Sequence, residues 1–221
     1  MPRVPTLRAT VPLEGVRAAV AKRMHESLLS TAQLTFHRTV DAGPLVAHRE
    51  ALRGGSHPDV SYTDLIVLAV SRTLPHHPRL NATIDSTAIS EWASVNIGIA
   101  VALDEGVMVP VLFDCQDADL PALIAERRRV VEVVRSGTAR ARDLLGSTFT
   151  VTNLGAYGVD MFTPVINAPE VAILGVGRIT PRSELSLSLT VDHRAVDGAP
   201  AGRFLTELAE FLECPQRIGA E

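Results

Sequence analysis

The sequence predicts an α/β fold, an α+β two-layer sandwich in which helices flank a mixed β-sheet. Segments with the apolar periodicity of helices alternate irregularly with segments in which apolar and polar residues alternate as in strands. Asp119–Arg135 is the clearest amphipathic helix, and Leu185–Val191 is the clearest half-buried strand. Apolar residues make up 46% of the 221 residues, which is ordinary for a globular protein with a sizeable core.

The N-terminal part of the chain is predicted to be an arm followed by three elements. Residues 1–12 contain three prolines and are expected to form an extended arm, and residues 13–221 are expected to form a single domain. A helix is predicted from about Glu14, a strand over Leu34–Val40 and a short helix over Pro44–Arg53.

The next predicted element is a buried helix with its own start signal. Ser61 and Asp64 have capping-box spacing, and the helix Leu65–Leu74 that they precede is strongly apolar. Proline follows it, so the helix should stop there and lie centrally. The remaining predicted strands are a hairpin, Val95–Leu103 with Val107–Phe113 around Asp104-Glu105-Gly106, then Ser147–Thr152 and Val171–Gly177; Gly198–Leu212 is the last helix.

Composition excludes several classes of function. The formal net charge of −4 and the lack of a basic run with interleaved aromatic residues argue against nucleic-acid binding. No apolar run approaches the ~20 residues of a membrane span. Cys115 and Cys214 form no paired motif, so neither a zinc site nor another metal site is predicted. The N-terminus lacks the apolar core of a signal peptide, and a cytoplasmic location is expected.

Asp192–Gly198, with the sequence DHRAVDG, is the most informative segment. It follows the strand Leu185–Val191, so His193 is predicted to stand at the end of a rigid support. Asp197 lies four residues later, and Gly198 lets the chain turn. A histidine with a nearby acid can take a proton from a weak nucleophile, because the pKa of free imidazole is close to neutral pH.

Three further segments join DHRAVDG in carrying a resemblance. They are Ala21–Met24, Ser61–Ile66 and Thr148–Gly155, and they occur in the order expected of one family. From about Val11 to Ile218 the chain resembles the catalytic domain of the dihydrolipoamide acyltransferases, the core subunits of 2-oxo acid dehydrogenase complexes. The resemblance implies the fold of chloramphenicol acetyltransferase.

The resemblance also implies an acyltransferase with acetyl-CoA as co-substrate, no metal and no acyl-enzyme. His193 would be the general base, and the hydroxyl of Thr152 would donate to the tetrahedral oxyanion. Asp197 would hold the histidine loop through a basic residue, for which Arg23 is the candidate, with Gly198 as structural support. A general base contributes about 10²–10⁴-fold to the rate, and one oxyanion donor contributes about 10²–10³-fold.

Each of these residues also has a purely structural interpretation. His193 could be an ordinary histidine at a strand end, and Thr152 an ordinary β-branched strand residue. Arg23 could be a solvated helix arginine. Asn153 is a candidate CoA contact or a support for the turn that follows it.

Three other groups of residues have a second interpretation as well. Arg127–Arg129 could be a solvated helix face or could meet the 3′-phosphate of CoA. Cys115 is expected to be a packing residue rather than a nucleophile. His76-His77 is expected to lie in a solvated loop rather than at a metal.

The resemblance implies a homotrimer in which active sites lie between subunits, so His193 and Thr152 would come from neighbouring chains. The chain departs from the family pattern at four places, one of which is Ala32-Gln33-Leu34 where the family has Pro-His-Phe. Only about eleven residues precede the first helix, so no lipoyl group is expected on this chain. The connection Val176–Glu184 is short, and the tail Arg217–Glu221 lacks an apolar run, which favours an isolated trimer.

These departures favour a freestanding O-acetyltransferase that transfers acetyl from acetyl-CoA to a hydroxyl of a small-molecule or carrier-bound acceptor, as in tetronate natural-product biosynthesis. The alternative is a dihydrolipoamide acyltransferase core. A second alternative is an inactive scaffold, which the presence of both His193 and Asp197 argues against.

Overall fold

The computed structural model describes residues 5–104 and 106–219. The helices in these ranges are α1 (Gly15–Ser30), α2 (Gly43–Gly54), α3 (Tyr62–Thr73), α4 (Leu120–Arg135), α5 (Ala141–Leu144) and α6 (Gly198–Glu213). The strands are β1 (Gln33–Asp41), β2 (Ala82–Ile84), β3 (Ile89–Glu91), β4 (Ile97–Ile99), β5 (Val101–Leu103), β6 (Gly106–Met108), β7 (Val111–Leu112), β8 (Phe149–Asn153), β9 (Ala172–Ile179) and β10 (Glu184–Asp192). Short 3-10 turns lie at Leu74–His76, Gly155–Tyr157 and Pro215–Gly219.

The main sheet has six strands in the order β1-β10-β9-β8-β4-β7. β8 runs parallel to both β9 and β4, and the other neighbouring pairs are antiparallel. Two small sheets, β2 with β3 and β5 with β6, lie outside it. The prediction of a mixed sheet with flanking helices is therefore confirmed.

The main sheet has two chemically different faces. Along β10, Leu187, Leu189 and Val191 point to one face and belong to the same buried core as the helices. Ser188 and Thr190 point to the other face and are also buried. The Thr190 hydroxyl shares a hydrogen bond of 2.8 Å with Thr35, and the Ser188 hydroxyl shares one of 2.9 Å with His37. Both partners lie on β1, so the buried hydroxyl groups on this face of β10 have hydrogen-bond partners.

Helix α3 lies at the centre of the helical layer, as its apolar sequence predicts. All residues from Asp64 to Ser71 are buried, and α3 packs against both α4 and α6. Phe204 of α6 reaches the sheet and packs on Phe149 with ring centroids 5.8 Å apart. No helix in the described part of the chain combines the length and hydrophobicity needed to cross a bilayer.

The N-terminus of α3 contains a buried ion pair. The predicted capping box is confirmed: the Ser61 hydroxyl accepts from the Asp64 amide, and the Asp64 carboxylate accepts from the Ser61 amide at 2.8 Å. The other Asp64 oxygen accepts from Arg127 Nε of α4 at 2.6 Å. Asp64 is inaccessible to solvent, so this arginine compensates a buried charge.

The structure departs from the predicted elements mainly in the hairpin. The two long strands are each divided, into β4 and β5 and into β6 and β7, with the division on the second strand at Val109 and Pro110. Pro110 has no N–H to continue the ladder, although its carbonyl accepts from the Ile99 amide at 2.9 Å. Glu105 of the predicted turn lies outside the described residues. β2, β3 and α5 were not predicted because three or four residues are too few to show a period.

Loss of Arg127 should destabilise the fold far more than loss of its neighbour Arg128. Arg127→Ala leaves the buried Asp64 carboxylate without its counter-ion, and we expect a loss of about 3 kcal/mol in the free energy of unfolding. Arg128 forms an exposed pair with Asp59, with both side chains about 60% exposed. Arg128→Ala is the matched control and should cost less than about 1 kcal/mol. Urea unfolding measures both values, and equal losses would contradict this account.

Candidate active site

The backbone of His193 is fixed where β10 meets the beginning of β1. The His193 amide donates to the Ala32 carbonyl at 2.8 Å, and Asp192 Oδ1 accepts from the Ala32 amide at 3.2 Å. The Asp192 carboxylate is fully buried and also binds the Arg194 guanidinium through Nε and Nη2, at 3.0 and 2.6 Å. These bonds to Arg194 and to backbone amides hold the pKa of Asp192 below its ordinary value despite its burial.

The His193 imidazole is half exposed and has a carboxylate on one side. Its Nδ1 lies 3.5 Å from Asp197 Oδ1. Asp197 precedes α6 in extended backbone conformation, and its side chain makes no capping hydrogen bond to that helix. A carboxylate beside Nδ1 favours the tautomer that carries its proton there, and this leaves Nε2 able to accept a proton. Gly198 is the first residue of α6, next to Asp197.

Thr152 lies on the polar face of β8, two residues after Thr150. It is half-buried, and its partner on β9 is Gly175. A side chain at Gly175 would meet Phe162 and Pro164 at 3.1–3.2 Å, so the segment after β8 folds closely over this face. The Thr152 hydroxyl therefore lies at the edge of a covered part of the sheet.

His193 and Thr152 do not come together within one chain. Thr152 is level with Gly175 on β9 and with Ser188 on β10. His193 lies five residues after Ser188, just past the end of β10, and β10 is two strands away from β8. At ordinary strand rise and spacing, His193 and Thr152 are therefore separated by about 19 Å. A single chain thus presents two separated halves of the predicted site.

Asn153 points to the opposite face of β8. Its Nδ2 donates to the Thr63 hydroxyl at 3.2 Å, and its Oδ1 accepts from the Gly155 amide at 2.8 Å. It lines a groove of about 540 Å³ whose walls also include Tyr62 and Arg178. Asn153 therefore supports the following turn and also faces a space large enough for part of a ligand.

Arg23 lies beside a different carboxylate from the predicted one. It lines a cavity of about 560 Å³ together with Glu170, and no ion pair joins Arg23 to Asp197 within the described residues of one chain. Burial raises the pKa of Glu170 to about 7, although hydrogen bonds from Ser147, Thr150 and Asn167 and the charge of Arg23 lower it. Glu170 was not predicted from the sequence, where the available signal was a glutamate directly before the apolar segment that begins at Val171.

Several weaker candidates have structural roles. Burial raises the pKa of Cys115 to about 11, which keeps it a thiol at neutral pH. His76 and His77 each contact one oxygen of Glu207, at 2.6 and 2.8 Å. No group of metal-ligating side chains occurs in the part of the chain that the structure describes. Arg127, Arg128 and Arg129 pair with acidic side chains of this chain: Asp64, Asp59, Glu126 and Asp143.

Comparison with known proteins identifies the family. The 2-oxoacid dehydrogenases acyltransferase (catalytic domain) family matches residues 6–220. The chain belongs to this family. The acetoin-cleaving dihydrolipoyllysine-residue acetyltransferase component of Bacillus subtilis is 37% identical over 94% of this chain and 56% of its own length. The branched-chain lipoamide acyltransferase component of Pseudomonas aeruginosa is 35% identical over 96% and 53%. The chain thus spans about half the length of these curated relatives.

Solved structures support the same fold. A dihydrolipoamide acetyltransferase from Azotobacter vinelandii superposes with a TM-score of 0.91, 30% identity and 99% of both chains covered. A serine, a histidine and an asparagine have been studied for their role in its catalytic mechanism. The cubic core of a pyruvate dehydrogenase multienzyme complex gives a TM-score of 0.90 at 30% identity, again over 99% of both chains. Chloramphenicol acetyltransferase, with a TM-score of 0.57 and 13% identity over 86% of this chain and 94% of its own, shares the fold.

Removing the charge of Glu170 should change how stability depends on pH. Because the pKa of Glu170 is about 7 in the fold and 4.5 for a free glutamate, the fold is stabilised by a bound proton below pH 4.5. This advantage is lost as pH rises through 7. The free energy of unfolding of the wild type, relative to Glu170→Gln, should therefore fall by roughly 3 kcal/mol between pH 4.5 and pH 8. A difference that stays constant over this range in urea titrations would contradict the shifted pKa.

Proposed function

We propose that this chain is a dihydrolipoamide acyltransferase core that moves an acyl group between CoA and a dihydrolipoyl thiol. The observation that carries the proposal is His193, held by its backbone at a strand end with Asp197 beside Nδ1, on the fold of this family. The two curated relatives above are both lipoyl-directed acyltransferase components. This favours the alternative prediction over O-acetylation of a natural-product hydroxyl.

The proposed reaction is direct transfer with His193 as the base. His193 Nε2 takes the proton of the dihydrolipoyl thiol, and the thiolate attacks the thioester carbonyl of acyl-CoA. The carbonyl oxygen becomes an oxyanion, to which the Thr152 hydroxyl donates. The carbon–sulfur bond to CoA then breaks, and the CoA thiolate receives the proton from His193. Asp197 stabilises the imidazolium that exists between these steps.

We also propose that two chains form each site, within a closed homotrimer. His193 and Thr152 lie about 19 Å apart in one chain, so one chain cannot place both on one carbonyl. Leu29 and Leu34 are exposed on either side of Ala32, which contacts the His193 backbone. Tyr157 and Met161 are exposed shortly after Thr152. If Leu29 and Leu34 of one chain contacted Tyr157 and Met161 of the next, the contact would complete the site and would cover these exposed apolar side chains.

The groove beside Asn153 is the proposed position of CoA. Arg178 lines this groove, and the Arg49 guanidinium carbon lies over the Tyr62 ring, 4.4 Å from its centroid. Two arginines near an open groove suit the phosphates of CoA, and an aromatic ring suits its adenine. The groove opens at the C-terminal end of β8, where Asn153 follows Thr152, so the thioester end of CoA would pass around the end of this strand to reach Thr152 on the other face.

Mixing two inactive variants should restore activity if each site uses two chains. His193→Ala and Thr152→Ala should each lower kcat by about 10²-fold or more. Trimers assembled from equal amounts of both variants contain intact sites wherever His193 of one chain meets Thr152 of the next. Random assembly gives intact sites at about one quarter of the interfaces. Transfer from acetyl-CoA to dihydrolipoamide, followed by thioester absorbance, measures this recovery after co-expression.

A mixture no more active than its two parents would contradict the shared site. Turnover of hydroxyl acceptors with none for dihydrolipoamide would instead contradict the proposed acceptor. A mixture of His193→Ala with the His193→Ala, Thr152→Ala double variant is the control and should show no recovery.

Arg178→Ala should weaken CoA binding with little effect on the chemical step. Loss of one charge-assisted contact is expected to raise KM for CoA about tenfold and to leave kcat within about twofold. Arg182→Ala, on the exposed turn after β9, is the matched control and should behave as the wild type. Dephospho-CoA distinguishes the 3′-phosphate from the pyrophosphate as the group that Arg178 meets. Equal KM values for the two variants would remove Arg178 from the CoA site.

A further inference from the structure

Glu170 is a buried carboxyl group at the N-terminal end of β9, outside the residues assigned to the reaction. Only 1% of the residue is accessible to solvent. The residues on both sides of Glu170 form backbone hydrogen bonds to β2. The Ile84 amide donates to the Pro169 carbonyl at 2.9 Å, and the Val171 amide donates to the Ala82 carbonyl at 3.0 Å. The side chain is therefore carried on a fixed piece of backbone and points towards β8.

Three side chains from two segments donate to this carboxyl group. The Ser147 hydroxyl and the Asn167 amide bind Oε1 at 2.5 and 2.7 Å. The Thr150 hydroxyl binds Oε2 at 2.6 Å and also accepts from the Asn167 amide at 3.3 Å. Burying a carboxyl group costs free energy unless donors compensate it, and this one is compensated chiefly by β8 and its approach.

Thr150 is confined from its other side as well. The neighbouring residue on β4 is Gly98, and a Cβ there would lie 3.0 Å from Thr150 Oγ1 and 2.7 Å from the Val109 side chain. Thr150 is thus held between Glu170 and a position that admits no side chain. Thr152 follows two residues later on the same face of the same strand, so its position depends on where Thr150 is held.

We propose that Glu170 is a positioning residue that fixes β8 through Thr150 and Ser147 and thereby places the Thr152 hydroxyl. The proposal rests on the proposed function, in which Thr152 donates to the oxyanion. Arg23 of α1 lines the same cavity, and its positive charge lowers the pKa of Glu170. Glu170 itself touches no reacting atom.

Three variants and one control test this role by steady-state kinetics. Glu170→Ala and Thr150→Val should each lower kcat about tenfold, because small displacements of a catalytic group are costly. KM for CoA should change less than twofold, since the CoA groove lies on the other face of the sheet. Glu170→Gln keeps the shape and most of the hydrogen bonds and should restore kcat to within about threefold. Thr73→Val removes a buried hydroxyl on α3 that binds the Ala69 carbonyl, and its kcat should be unchanged.

Hydrogen exchange of the peptide covering β8 provides a readout that does not need turnover. The amides of residues 149–153 should exchange at least tenfold faster in Glu170→Ala than in Thr73→Val, whereas Glu170→Gln should resemble the wild type. Unchanged kcat and unchanged β8 exchange in Glu170→Ala would overturn the positioning role, as would equal loss of kcat in Thr73→Val. If the wild type transfers no acyl group, the proposed function fails, and the exchange experiment still decides whether Glu170 fixes β8.

Discussion

Alternation of side chains across the six-stranded sheet determines where the candidate site residues lie. On β10 the leucines pack into the helical layer, while the intervening polar residues, ending with Asp192, occupy the other face. The hydrogen-bonded register carries this division to β9 and β8, where it places Thr152 on the polar face and Asn153 on the groove side. One geometric rule thus separates the residue assigned to the oxyanion from the groove assigned to CoA.

Three buried carboxyl groups among the described residues are compensated in different ways. Asp64 has an arginine and a helix N-terminus, and Asp192 has an arginine two residues away and two backbone amides. Among the described residues, the side chains that donate to Glu170 are all neutral, and Arg23 lines the same cavity. The first two join elements of the fold through ion pairs, whereas the third has a pKa of about 7. Neutral donors thus leave the pKa of Glu170 raised, with burial as the largest cause.

The sequence was informative where the relevant signal is local. Ser61 and Asp64 lie three residues apart, and the capping box they predict is present. His193 and Asp197 lie four residues apart, and the structure places the two side chains in contact. Partners that are distant in the chain were not predicted. Arg127 lies 63 residues from Asp64, and the donors of Glu170 lie up to 23 residues from it. No sequence period or short spacing predicts either contact. The expected pair of Arg23 with Asp197 is not formed within the described residues of one chain, and it stays a prediction for the assembled protein.

The position of Asp192 also has a consequence for folding fidelity. A shift of β10 by one residue along β1 would turn Asp192 into the apolar layer and its leucines onto the polar face. Such a chain would place the Asp192 carboxylate in the apolar layer without the Ala32 contact, at a cost of several kcal/mol. It would also lose the bond that fixes the His193 backbone. The alternation along β10 that places the proposed base therefore also selects the correct strand register. A chain in the wrong register would be unstable and would lack a positioned base.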